Sequence, residues 1–179
     1  MGRDQRTGIT IGTAFGLVFV LVNAGALPSP WPLVLRVAAV LAFVGVQLAL
    51  QAAARRPAPD GAGGGFTRGY WLVVAVEVVA LFGGREVVVR VLDVPEAGVA
   101  WVALVVGVHF FGLAVVWSEP SLHVVGAALT VCGVAGLVLA ATGAAGATVA
   151  TVGGVVPGFV LIAGGGAAAA TAGRSPVRA

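Results

Sequence analysis

The chain has very little charge. Acidic and basic residues together make up 9% of its 179 residues, against about a quarter in an ordinary soluble domain. Polar side chains that scarce cannot cover a water-facing surface, so a soluble globular fold is excluded. Lysine is missing altogether, and all ten basic residues are arginine. The single cysteine, Cys132, rules out an intramolecular disulfide, and its apolar neighbours give it the character of a small packing residue. There is no CxxC, no HExxH, no P-loop and no GxGxxG at a strand–helix junction. No metal or cofactor is expected. Nor is an enzyme, since no Ser or Cys nucleophile stands beside a base and no aspartates are paired. The net charge of +3 and the pI near 10.5 do not point to nucleic acid, because the arginines occupy short loops and tails that read as topology signals.

What the chain has in abundance is apolar length. Hydrophobic residues reach 59%, and the mean hydropathy is +1.07. A membrane-crossing helix needs about 20 residues to span a core of roughly 30 Å. Six stretches meet that length, near residues 8–27, 31–53, 70–92, 98–117, 121–142 and 147–170. The expectation is an all-α polytopic membrane protein, a bundle of about six transmembrane helices forming one integral membrane domain over 1–179. Turn chemistry marks the breaks. Pro28, Pro30 and Pro32 separate the first two stretches, and a Pro/Gly/Arg loop over 54–69 separates the second and third. Asp93, Pro95 and Glu96 mark the next break, then Ser118, Glu119 and Pro120. The last lies among small residues near 142–147.

The arginines set the orientation. Arg3, Arg6, Arg55, Arg56, Arg68, Arg174 and Arg178 all fall on one side of a six-span chain, and the opposite loops hold none. By the positive-inside rule both termini are cytoplasmic. Trp31 and Trp101 then begin spans at the outer face, while Tyr70, Trp71 and Trp117 mark the inner one. Codon-biased abundance of Ala, Gly, Val and Arg fits a GC-rich bacterial source, so the expected location is the bacterial plasma (inner) membrane. Arg3 and Arg6, the apolar run Ile9–Val22 and Ala24-Gly25-Ala26 also resemble a secretory signal peptide. Against cleavage stands the small-residue ridge Gly8, Gly12 and Gly16, which suits helix packing. Gly126, Gly133 and Gly136, and the pair Gly154 and Gly158 around Pro157, read the same way. Pro157 is expected to kink the last helix.

Few ionisable groups lie inside the spans. Glu77, within WLVVAVEVVALF, falls about 10–12 Å from the inner end of its span at 1.5 Å per residue. His109, within VALVVGVHFFGLA on the antiparallel fourth span, falls at about 12 Å. Each costs roughly 2.5–3.5 kcal/mol on insertion scales, so each needs a partner. Their matching depths make Glu77 and His109 the candidate intramembrane pair, as carboxylate with imidazolium or as two neutral groups sharing a hydrogen bond. The pair fixes helix register, or else carries protons or contacts a ligand; the rivals are an unpaired Glu77 held protonated and a His109 facing a water-filled crevice. A second polar layer comprises Asn23, Arg36, Arg85 and Glu86, all within about 10 Å of the outer boundary. There Glu86 and Arg90 are spaced to pair along one helix, and Arg36 with Glu86 is the expected interhelical pair, with a snorkelling Arg36 as the rival. Ser121 reads as an N-cap of the fifth helix, and His123 as an interfacial residue.

The stretch WLVVAVEVVALFGG followed by WVALVVGVHFFGLA resembles an uncharacterised family of small bacterial multi-pass membrane proteins, with a Glu-bearing helix followed by an HFxxLA-type helix. The likeness covers roughly Tyr70 to Val125. Where relatives often read HFxPLA, this chain has Gly112 in place of the proline. The resemblance implies a fold of several membrane helices and no assigned activity. The expected partners are the lipid bilayer and a second copy of the chain in a homo-oligomer. The function expected is that of a non-enzymatic membrane component, permease-like, sensing or membrane-organising, with a proton-coupled small-solute transporter using Glu77 and His109 as the alternative.

Overall fold

The computed structural model describes residues 2–55, 66–91 and 93–172. Among them there are helices and turns and no strand. We number six helices. α1 is Arg3–Asn23, α2 is Trp31–Ala54, α4 is Ala97–Trp117 and α5 is Ser121–Ala141. α3 starts as regular helix over Arg68–Val79 and continues through π turns at Ala80–Gly84 and Val87–Val91. α6 runs over Gly146–Ala172, with a π turn at Thr151–Val155. Five of the six, all but α3, are long and apolar enough to cross a membrane. The chain is an all-α polytopic bundle. Most of the loop over 54–69, including Arg56 and Asp60, lies outside the described residues, as do Arg174 and Arg178.

The helix ends follow from local chemistry. Thr67 caps α3, its hydroxyl accepting from the Tyr70 amide at 3.4 Å. Ser118 closes α4 in the left-handed region at φ 51, and Gly143 follows α5 at φ 74. At each, an amide reaches back past the last turn, Glu119 to the Ala114 carbonyl at 3.0 Å and Ala144 to Leu139 at 2.9 Å. Ser121 does not act as the expected cap. Its hydroxyl donates instead to Glu119 Oε1 at 2.9 Å, because Pro120 occupies the position before the helix. Upstream of Pro157, which has no N–H to offer the preceding turn, the helix widens into the π turn at Thr151–Val155. α3 loses regular geometry where Gly83, Gly84 and a run of β-branched valines lower helix propensity.

α6 is the hub, packing against α1, α2 and α5, while its π turn also meets α4. α4 lies along α5, and α3 is attached from outside against α4. Burial of apolar surface gains little in lipid, so close backbone approach must hold the bundle. Gly16 of α1 and Gly158 of α6 meet face to face, since a Cβ on either would come within 2.6 Å of the other's carbonyl oxygen. Gly107 of α4 meets Thr130 and Gly126 of α5, and Gly136 and Gly153 both press on Ala100. Gly12, in the middle of the expected α1 ridge, has open space around it.

Candidate functional site

The seam between α3 and α4 is antiparallel and built in layers. At one end the Tyr70 ring stacks on Trp117, with centroids 5.7 Å apart and planes 11° from parallel. Next, Gly69 faces Val116 and Gly112 faces Val73, where an added Cβ on Gly112 would come 3.0 Å from Val73 Cγ1. Gly112 therefore lets α3 approach one turn from the polar centre. Glu77 and His109 follow, with His109 Nδ1 3.2 Å from Glu77 Oε2 and the side chains 10% and 17% exposed for His109 and Glu77. Spacing and depth bring these two together as read from the sequence. The separation is that of an ion pair, yet Nδ1 is buried without a well-aligned hydrogen bond. Which imidazole nitrogen carries the proton is not fixed by the ring atoms, so the 3.2 Å approach defines the contact.

Beyond the pair the seam is closed by Trp101. Its indole N–H donates to the Ala80 carbonyl at 3.0 Å, at the start of the π turn, where the widened backbone frees a carbonyl from its usual i+4 partner. The ring lies so close over Gly84 that any side chain there would collide with it. Trp101 was expected to be an interfacial anchor; its polar edge is spent on α3 instead.

The outer layer is not one site. Arg36 Nε donates to the Leu21 carbonyl at 2.9 Å, so the guanidinium caps the C-terminal end of α1, where the helix dipole favours a cation. The expected Arg36–Glu86 pair does not form among the described residues. α2 packs on α1 and α6, whereas α3 packs on α4. Glu86 pairs on its own helix, with Arg90 at 2.6 Å and with Arg85 at 3.6 Å. Asn23 belongs to α1, donating to the Phe19 carbonyl at 2.8 Å and filling the gap left by Gly154. Asn23, Arg36, Arg85 and Glu86 therefore do not converge on one polar site. Arg36→Ala is expected to cost about 1.5–3 kcal/mol in detergent unfolding, the range for a hydrogen bond to a charged group. It should add to Glu86→Ala within about 0.5 kcal/mol, since the two share no partner. Clear non-additivity would restore the direct pair.

One polar cluster escaped the sequence reading. Gln47 of α2 accepts from the Thr10 hydroxyl at 3.2 Å and donates to Thr13 Oγ1 at 3.0 Å, and the buried Thr13 hydroxyl passes on to the Ile9 carbonyl at 2.9 Å. An amide in the apolar run of α2, with two threonines spaced i,i+3 on α1, was the available signal. The arrangement is a closed clamp between helices. Gln47→Leu should cost about 0.6–1.7 kcal/mol, the measured span for polar contacts between membrane helices. Little further loss is expected on adding Thr13→Val, and additive losses in thermal unfolding would show that the clamp is not a unit.

Among the described residues, no group of three or more His, Cys, Asp or Glu could hold a metal ion. No family model matches the chain, and neither a curated protein nor a solved structure matches it.

Proposed function

We propose that the chain is a non-enzymatic, proton-responsive component of the bacterial plasma membrane, with both termini cytoplasmic, in which the Glu77–His109 pair takes up and releases a proton. The supporting observation is the 3.2 Å approach of the two side chains inside the seam that attaches α3 to the bundle. Adding or removing a proton changes the net charge of a site with little water around it, where electrostatic differences are large. The attachment of α3 then answers to protonation, as a sensing element requires. On the residues quoted above, the chain sits with the uncharacterised HFxxLA-type family.

A second reading, the proton-coupled small-solute transporter, draws on the π turns of α3 and α6. Both lie against α4, and interrupted helices are where transporters place their sites. Six helices leave little room for a solute, so that reading needs a homo-oligomer.

The test is a pH jump on purified, reconstituted protein across about pH 5 to 8, where imidazole changes charge. Wild type should take up about one proton per chain more than Glu77→Gln. Equal uptake by the two would end the proton reading. Orientation is tested separately in a Cys132→Ser host. An impermeant thiol reagent on intact cells should label a cysteine at Ala144 and spare one at Thr67, and the reverse pattern would invert the topology.

A further inference from the structure

The two ends of the α3–α4 seam differ in how their polar atoms are satisfied. On the Trp101 side the indole N–H is used by Ala80 and the ring fills the space over Gly84. Arg85, the next charged group outward, lies beyond that ring near Gly98 and pairs with Glu86. On the Tyr70 side, Trp117 Nε1 is buried and has no acceptor, and His109 Nδ1 has no aligned one. Buried donors left open by protein atoms are ordinarily met by water. Between them Gly69 packs on Val116 and Gly112 on Val73, so the two helices approach closely there without a polar side chain to satisfy either donor. Tyr70, two turns from Glu77 on the same face of α3, adds a phenol at the mouth. The titratable groups along the seam are Tyr70, Glu77 and His109, with Arg85 outside the Trp101 ring.

From this asymmetry we infer that the Glu77–His109 pair is reached by water from the Tyr70–Trp117 end alone and is sealed from the opposite face by Trp101. The inference rests on the proton-binding reading for its purpose, but its geometry stands apart from it. Water enters past the Tyr70–Trp117 stack, reaches the imidazole and carboxylate, and stops at the indole. A proton bound there is exchanged with one aqueous phase only. The seal is a positioning role for Trp101, since it touches α3 and not the pair.

The experiment places single cysteines in the Cys132→Ser chain at Glu77, and in a second variant at Val73 with Glu77 and His109 intact, in case Glu77→Cys fails to fold. A cationic, impermeant methanethiosulfonate reagent is applied to right-side-out and to inside-out vesicles, with Thr67→Cys marking the Tyr70 face. The reagent needs a thiolate and hence water, so its rate reports hydration of the seam. Labelling from the Tyr70 face is expected to be at least about tenfold faster than from the other, a barrier difference of about 1.4 kcal/mol. Adding Trp101→Ala should bring in labelling from the far face. Equal rates from both faces, labelling from the Trp101 face alone, no labelling at either position, or a Trp101→Ala variant that opens nothing would each overturn the inference. One-sided labelling with no proton uptake would instead remove the proton reading and leave the access route standing.

Discussion

Gly16→Ala and Gly12→Ala, one turn apart on α1, will move stability in opposite directions. A Cβ on Gly16 would come 2.6 Å from the Gly158 carbonyl oxygen, 2.9 Å from Leu161 Cβ and 3.1 Å from Ile162 Cγ1. The nearest of these is backbone, which cannot rotate aside, so α1 and α6 must separate. Overpacking costs typically 1–3 kcal/mol. With two helices displaced along a crossing that lipid does not help to hold, a loss of about 3 kcal/mol is the expected result. Gly12 has nothing within 4 Å of its added Cβ. Alanine there lowers the entropy of the unfolded chain and gains about 0.5–1 kcal/mol. The check is thermal or SDS-induced unfolding of both variants against wild type. Similar losses for both would mean that α1 does not cross α6 at Gly16.

That contrast marks what a one-dimensional reading can reach. Composition and run length were enough for the class of fold, because a continuous apolar run of about 20 residues spans lipid as a helix, which satisfies its own backbone. The glycine ridge of α1 was visible, but its working member was not. Gly8 touches Trp117, Gly12 faces open space and Gly16 meets Gly158, and only the crossing point of two helices decides which. The third stretch looked like any other span by hydropathy. Its departure from regular helix depends on weak propensities at Gly83, Gly84 and the valine run, and on the Trp101 indole that takes up the Ala80 carbonyl.

Among the polar groups, depth proved more informative than charge. Glu77 and His109 lie at one level on helices joined by a short turn, so counting residues inward brought them together. Arg36 and Glu86 also share a level, but no short connection makes α2 and α3 neighbours. A charge at the right depth then finds the nearest helix terminus, here the Leu21 carbonyl. Gln47 was hidden because an uncharged amide in an apolar run carries little compositional weight, although its two threonine partners were in view at i,i+3.

The Glu77–His109 pair itself should behave as a coupled unit. With the side chains 17% and 10% exposed, both groups are largely shielded from bulk water where they stand. Removing one therefore strands the other, which is the costly event for a shielded charge. Glu77→Gln leaves the imidazole without a carboxylate, and His109→Gln leaves a carboxyl facing an amide. Each single change is expected to lower stability in detergent by about 1–3 kcal/mol, with the double change costing less than the sum by at least about 1 kcal/mol. The pH profile separates register-keeping from proton binding. For a proton site the stability difference between wild type and Glu77→Gln must vary with pH, because the glutamine variant has lost a group whose proton occupancy is linked to the attachment of α3. For a neutral hydrogen-bonded pair that only fixes register, the difference stays flat across the range. Unfolding of the four chains of the cycle at each pH from about 5 to 8 reads both quantities at once. Additive single losses at every pH would mean that the 3.2 Å approach carries no coupling, and the pair would then have neither role.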